Sequence, residues 1–246
     1  MQCPERTLPM DRTNGITTSK SYGSFNRPNS VYDLIQNHAS HFPDHTAVSE
    51  GDSSLSYSDL ISASRRVALI LRKRGVGSQD IVPILASRCL EMVACLLALV
   101  SIGACYVPID IENWSQERTE AVLATVSAKT IIVTGLSRHS SLNAIDSQEI
   151  HEAVHTKSRA APQLDLARNH VRSEDPVYII FTSGTTGMPK GVSIAHQSLL
   201  HYVQQGNEDA PFNLGTTPSD KVLLLFSVAF DGISVLDLDE KHSLTA

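Results

Sequence analysis

Apolar positions along this chain change period several times, and each change marks an element. Residues 1 to 28 show no period, being rich in Ser, Thr, Asn, Arg and Pro, and read as a disordered leader. Ser30 then stands as an N-cap with Asp33 three residues on. Val31, Leu34, Ile35 and His38 mark one face of the helix that follows, ended by Pro43. Thr46 to Glu50 and Ser53 to Tyr57 alternate about Gly51-Asp52, which predicts a hairpin. Ser58 is the expected cap of a second helix, in which Leu60, Ser64, Val67 and Leu71 repeat at helical spacing until Gly75 closes it. Ile81 to Leu85 reads as a strand, Arg88 to Ile102 as a helix apolar on most sides and hence buried, and Cys105 to Ile109 as another strand. Strand, helix and strand in that order predict a parallel βαβ unit and an α/β fold.

A helix over Ser115 to Ala128 and a strand over Thr130 to Thr134 continue the alternation. From Gly135 to Asp175 the pattern dissolves into polar residues, a surface excursion of low order. Val177 to Phe181 is an apolar run bounded by turn residues and reads as a buried strand. His196 to Gln205 reads as a helix with Leu199, Leu200 and Val203 inward, and Val222 to Phe226 as a last buried strand. Residues 237 to 246 form a polar, acidic tail without a core pattern.

The strand at Val177 runs into TSGTTGMPKG (Thr182 to Gly191), which holds three glycines, four hydroxyls, one proline and one lysine. Gly184, Gly187 and Gly191 permit backbone conformations that a side chain would forbid. Such a loop turns its amides outward into a concavity for anions, and Thr182, Ser183, Thr185 and Thr186 add hydroxyl donors. Lys190 supplies a mobile positive charge at the far end. The common P-loop is excluded by spacing: Pro189 stands five positions after Gly184, where that motif needs glycine, and Gly191 follows the lysine in place of Ser or Thr. The bland alternative is a Thr/Gly-rich surface turn.

Composition narrows the field further. At 246 residues, 41% hydrophobic and 19% charged, the chain can bury a real core. A net charge of -6 argues against nucleic acid as a partner, and the basic run in Ala63 to Gly75 (ASRRVALILRKRG) reads as the solvated face of an amphipathic helix. Of the four cysteines, Cys89, Cys95 and Cys105 lie in apolar surroundings and no CxxC pair occurs, which fits a reducing, cytoplasmic compartment. Met92 to Ile102 is too short to span a bilayer, so no membrane is expected. No metal site is expected either. His38, His41 and His45 form a run explained by a helix end and a loop, His151 and His155 read as a solvated helix face, and His196 as structural.

Four segments resemble the adenylate-forming (AMP-binding) superfamily, and within it the adenylation domains of non-ribosomal peptide synthetases. They are LSYSDL (Leu55 to Leu60), ALVSIGACYVPID (Ala98 to Asp110, with Cys105 where glycine or alanine is usual), TSGTTGMPKG and FSVAFD (Phe226 to Asp231). The resemblance spans residues 30 to 236 and implies an α/β fold of layered mixed and parallel sheets with packed helices, the N-terminal portion of the large domain. It also implies a reaction. A carboxylate attacks the α-phosphorus of ATP, pyrophosphate leaves, and the acyl adenylate passes its acyl group to the phosphopantetheine thiol of a carrier protein or domain.

By that resemblance Thr182, Ser183, Gly184, Thr185, Thr186 and Gly187 wrap the β- and γ-phosphates, and Lys190 steadies the loop or the phosphates. Asp231 accepts the α-ammonium of an amino-acid substrate, with Gly232 and Val235 as further pocket positions; the alternative for Asp231 is a helix N-cap. ATP and Mg2+ are implied. The family's adenine loop, magnesium-placing acid, hinge and catalytic lysine are not matched, so no catalytic residue is assigned. The expected organisation is a partial adenylation domain over 29 to 236, without the small C-terminal domain or a carrier domain. Two alternatives stay open, an acyl-CoA ligase or luciferase-like relative and a non-catalytic remnant that needs a partner polypeptide.

Overall fold

Local capping sets where the first helices begin. The computed structural model describes residues 28, 30–135, 143–156, 171–182, 189–205, 221–223, 227–229 and 243–245. Helix α1 (Val31–His41) starts with a capping box, in which the Asp33 amide donates to Ser30 Oγ at 3.3 Å and the Ser30 amide to Asp33 Oδ2 at 3.0 Å. Strands β1 (Thr46–Glu50) and β2 (Ser53–Ser56) form the expected hairpin, with Gly51 at φ +54° in its turn. Helix α2 (Tyr57–Lys73) is capped by Ser56, not Ser58. The reason is spacing: Asp59 lies three residues after Ser56 and completes a second capping box. The first amides of α2, at Tyr57 and Ser58, donate to the carbonyls of His45 and Pro43, so the helix can begin where the hairpin ends.

Next come β3 (Ile81–Ala86), α3 (Leu90–Ser101) and β4 (Cys105–Asp110). Strands β3 and β4 pair parallel from Ile81↔Cys105 to Ala86↔Asp110, the predicted βαβ unit. Every residue of α3 is buried, as its all-round apolar pattern requires. The turn after it places Gly103 at φ +72°, where an added Cβ would lie 2.9 Å from Ser78 Oγ. Gly103→Ala is therefore expected to cost about 2 kcal/mol of stability. A urea midpoint equal to that of the parent chain would contradict this.

Helix α4 (Gln116–Val126) is capped by Ser115, and β5 (Ile131–Val133) follows. The stretch read as a low-order excursion contains β6 (Ala144–Ile145) and α5 (Ser147–His155), whose Ile150, Ala153 and Val154 are buried. The basic run of α2 helps to hold α5. Arg66 Nε donates to the Ala153 carbonyl at 2.5 Å, and Arg74 pairs with Glu149 at 2.9 Å. Arg72, Lys73 and Arg74 are exposed, as a solvated face requires, and Arg66 is half-buried; the partners of Arg66 and Arg74 lie on a helix that only folding brings alongside.

Strand β7 (Pro176–Thr182) pairs antiparallel with β8 (Lys190–Ala195), and helix α6 (His196–Gln205) follows directly. The larger sheet has the order β6-β5-β3-β4-β7-β8 and is parallel except for its last pair. Alternate residues face opposite sides of it. Val82, Ile84, Tyr106 and Ile132 pack with α2, α3 and α5, whereas Leu85, Val107, Ile109 and Val133 pack with Val122 of α4 and with Phe181. Both faces are covered, which accounts for the apolar runs in its parallel strands.

A smaller sheet runs β2-β1-β10-β9, with β9 at Lys221–Leu223 and β10 at Ser243–Thr245. Strand β10 pairs parallel with both β1 and β9, inside the segment read as a polar tail. Ladder hydrogen bonds are made by the backbone, so a short polar segment can take a central place once its neighbours are assembled.

Candidate functional site

Strand β7 carries the loop with the phosphate-binding pattern to the edge where the parallel strands end, and β8 brings the chain back. Thr182 pairs with Lys190 and Phe181 with Gly191, so the loop is the closed end of a hairpin. Thr182 and Lys190 are both exposed, and Thr182 Oγ1 donates to the Lys190 carbonyl at 3.4 Å. Ser183, Gly184, Thr185, Thr186 and Gly187 lie outside the described residues, as do Asp231, Gly232 and Val235.

Two contacts fix the mouth of the hairpin. A Cβ on Gly191 would stand 2.9 Å from Ile179 Cγ2 and 3.2 Å from Phe181 Cζ, so glycine is what lets these side chains lie over β8. Arg118 of α4 donates from Nη2 to the Phe181 carbonyl at 3.1 Å, while its guanidinium stacks 3.9 Å from the centre of the Trp114 ring. The arginine thereby ties the end of β7 to the helix behind it.

Asp110, the last residue of β4, is buried at the same edge. Its Oδ1 accepts the amides of Glu112 and Asn113 at 3.1 and 3.2 Å, and its Oδ2 accepts Asn113 Nδ2 at 2.8 Å and Ser227 Oγ at 2.5 Å. Burial pushes this carboxyl up, but the four hydrogen bonds, led by that from Ser227, hold it below the ordinary carboxylate range. Ser227 Oγ also accepts the Ala229 amide at 3.2 Å, and Val228 and Ala229 are buried. Asp110 thus anchors the segment immediately before Phe230-Asp231. In the sequence Asp110 closes the ALVSIGACYVPID segment with no role assigned by that segment alone. The signal available was an aspartate ending a buried strand with asparagine three residues later, an Asx-turn pattern.

The histidines divide. His196 is fully buried in the first turn of α6; burial pushes its pKa down, so the ring is neutral at pH 7. His38 packs its ring against Tyr57 at 4.4 Å and Phe42 at 5.0 Å. His151 and His155 do not form a merely solvated face. Both reach Oε1 of Glu91 on α3, at 2.7 and 2.9 Å. Cys89, Cys95 and Cys105 are buried free thiols, as their apolar surroundings predicted.

A family model described as "AMP-binding enzyme" matches residues 35–236. The nonribosomal peptide synthetase tcpP of Claviceps purpurea is 46% identical over 210 residues, covering 83% of this chain and 10% of that protein. The nonribosomal peptide synthetase sirP of Leptosphaeria maculans is 35% identical over 229 residues, with 92% and 10% covered. Among solved structures, the NpsA N-terminal subdomain of Klebsiella oxytoca in complex with 3-hydroxybenzoyl-AMSN superposes with a TM-score of 0.69 at 26% identity, covering 88% of this chain and 53% of that one. VinN, in complex with 3-methylaspartate, shares the fold with a TM-score of 0.75 at 20% identity, with 88% and 61% covered.

The chain therefore belongs to the AMP-binding enzyme family, and its mixed α/β fold, rich in parallel strands, is that of the N-terminal subdomain of adenylate-forming enzymes. It spans 10% of the length of the synthetases it matches.

The family implies ATP and Mg2+. Exposed Lys190 at the hairpin mouth fits a polyphosphate, offering an ammonium, while the Thr182 hydroxyl beside it is turned to the Lys190 carbonyl. Asp110 does not fit as a magnesium ligand, because both of its oxygens are already engaged. Among the described residues no helix is long and apolar enough to cross a membrane.

Proposed function

We propose that this chain supplies the pyrophosphate-gripping loop and one wall of the acid pocket for ATP-dependent activation of an amino acid in non-ribosomal peptide synthesis. The observation that carries this reading is the family match over residues 35–236 together with a hairpin that presents Thr182 and Lys190 at the strand ends. In the reaction, negative charge gathers on the departing pyrophosphate. Preorganised amides and hydroxyls of Thr182 to Gly187, with the Lys190 ammonium, stabilise that charge as it develops. Asp231 pairs with the substrate ammonium, a carboxylate being the complement of that cation. Gly232 and Val235 line the same pocket. The acyl adenylate then passes to a phosphopantetheine thiol on a carrier.

The test is amino-acid-dependent exchange of labelled pyrophosphate into ATP, with the chain supplemented in trans by the remainder of an adenylation domain. Lys190→Ala and Gly184→Val are each expected to slow exchange by about 100-fold. Unchanged rates in both variants would remove the phosphate role. Asp231→Ala should raise KM for the amino acid; an unaltered KM would leave the loop but not the amino-acid pocket.

A further inference from the structure

Helix α5 packs on α2 and α3 and brings two histidines, one helical turn apart, over the first turn of α3. There His151 Nδ1 and His155 Nε2 converge on a single carboxylate oxygen, Glu91 Oε1, with the imidazole centroids 4.2 Å apart. The three donor atoms lie within 4.8 Å of one another. Among the described residues the ion-pair partners of Glu91 are these two histidines. The Glu91 side chain is only 12% exposed, so its carboxylate depends on these two imidazoles, and not on water, for its polar contacts beyond its own helix.

We propose that Glu91, His151 and His155 form a Zn2+ site that staples α5 to α3, with water completing the tetrahedron. Two imidazole nitrogens and one carboxylate oxygen are a zinc donor set, one that leaves a fourth position open. Bonds of about 2.0–2.2 Å in a tetrahedron separate the donors by roughly 3.3 Å. The histidine nitrogens now stand 2.7 and 2.9 Å from Oε1, so each must open by about half an ångström around the ion. His151 has the freedom to do so, its side chain being 62% exposed, and its exposed side admits both the ion and the water. The work of such an ion is structural. An ion that binds the folded state alone stabilises it by mass action.

The experiment uses the full, untagged chain after chelator treatment. Zn2+ is titrated calorimetrically, and Co2+ reports geometry by its visible absorption. Saturable uptake of one ion per chain is expected, with tetrahedral Co2+ bands that Zn2+ displaces. His151→Gln and Glu91→Gln should each weaken Zn2+ binding by about 100-fold. Should Glu91→Gln fail to fold, amide exchange of the parent chain replaces it, with Zn2+ expected to slow exchange in the first turn of α3 as well as in α5. Absence of saturable uptake overturns the site. So does affinity that survives His151→Gln, which would place the ion on other histidines, or protection confined to α5, which would leave Glu91 out.

Discussion

Raising the pH from about 8 to about 11 is expected to remove roughly 5 kcal/mol from the folding stability of this chain through Cys89 and Cys105 alone, because these buried thiols ionise when it unfolds. Burial pushes the Cys89 thiol from 9.0 up to about 11 and the Cys105 thiol up to about 12; burial raises Cys95 in the same direction. Below pH 9 both folded and unfolded states hold these protons, and the contribution is fully present. Above it the unfolded chain releases them while the folded chain keeps them. The unfolded state then binds fewer protons, and stability falls with each further unit until the folded thiols themselves titrate.

The loss is comparable to the whole stability of an ordinary domain, about 5–15 kcal/mol, so unfolding should be visible directly. Urea midpoints by circular dichroism across this range check it. Replacing Cys89 and Cys105 together by alanine should reduce the dependence markedly and leave only the share of Cys95. A parent midpoint that does not move between about pH 8 and 11 would mean that these thiols are not buried as described.

Asp110→Ala is expected to destabilise the fold by about 3 kcal/mol, the cost of stranding several buried polar groups at once. Two backbone amides, the Asn113 amide and the Ser227 hydroxyl would lose their common acceptor. Asp110→Asn should cost less, since it keeps an oxygen for the two backbone donors and Ser227 can reverse its hydroxyl. The link to Ser227 also makes a functional forecast. The segment that precedes Asp231 would lose its anchor, so, on the proposed function, KM for the acid substrate should rise more than kcat falls. A double-mutant cycle with Ser227→Ala isolates the contact, and a coupling indistinguishable from zero would show that Asp110 serves only its own turn.

Much of the fold is legible in local pattern because caps and turns are local events. Ser30 with Asp33 starts α1, Gly51 turns the β1–β2 hairpin, and Gly75 follows α2 at φ +81°. The all-round apolar run of α3 announces its burial before any partner is known. The family was readable for the same reason, since Thr182 to Gly191 are contiguous and their chemistry does not wait for the fold. Strand β8 escaped because it is an edge strand with most of its residues exposed, leaving no alternation to detect. Helix α5 escaped because its three buried residues sit in a polar stretch whose partners are the arginines of α2.

The capped helices, the βαβ unit and the family were thus contained in the linear chain, since each depends on neighbours a few residues away. Assembly alone decided which side chains meet. Ser227 reaches Asp110 across 117 positions, Arg66 reaches Ala153 across 87, and His151 reaches Glu91 across 60. No local period encodes such pairs. They exist because parallel strands and their covering helices bring distant segments to one edge of a sheet, where a buried carboxylate must find its partners or destabilise the fold.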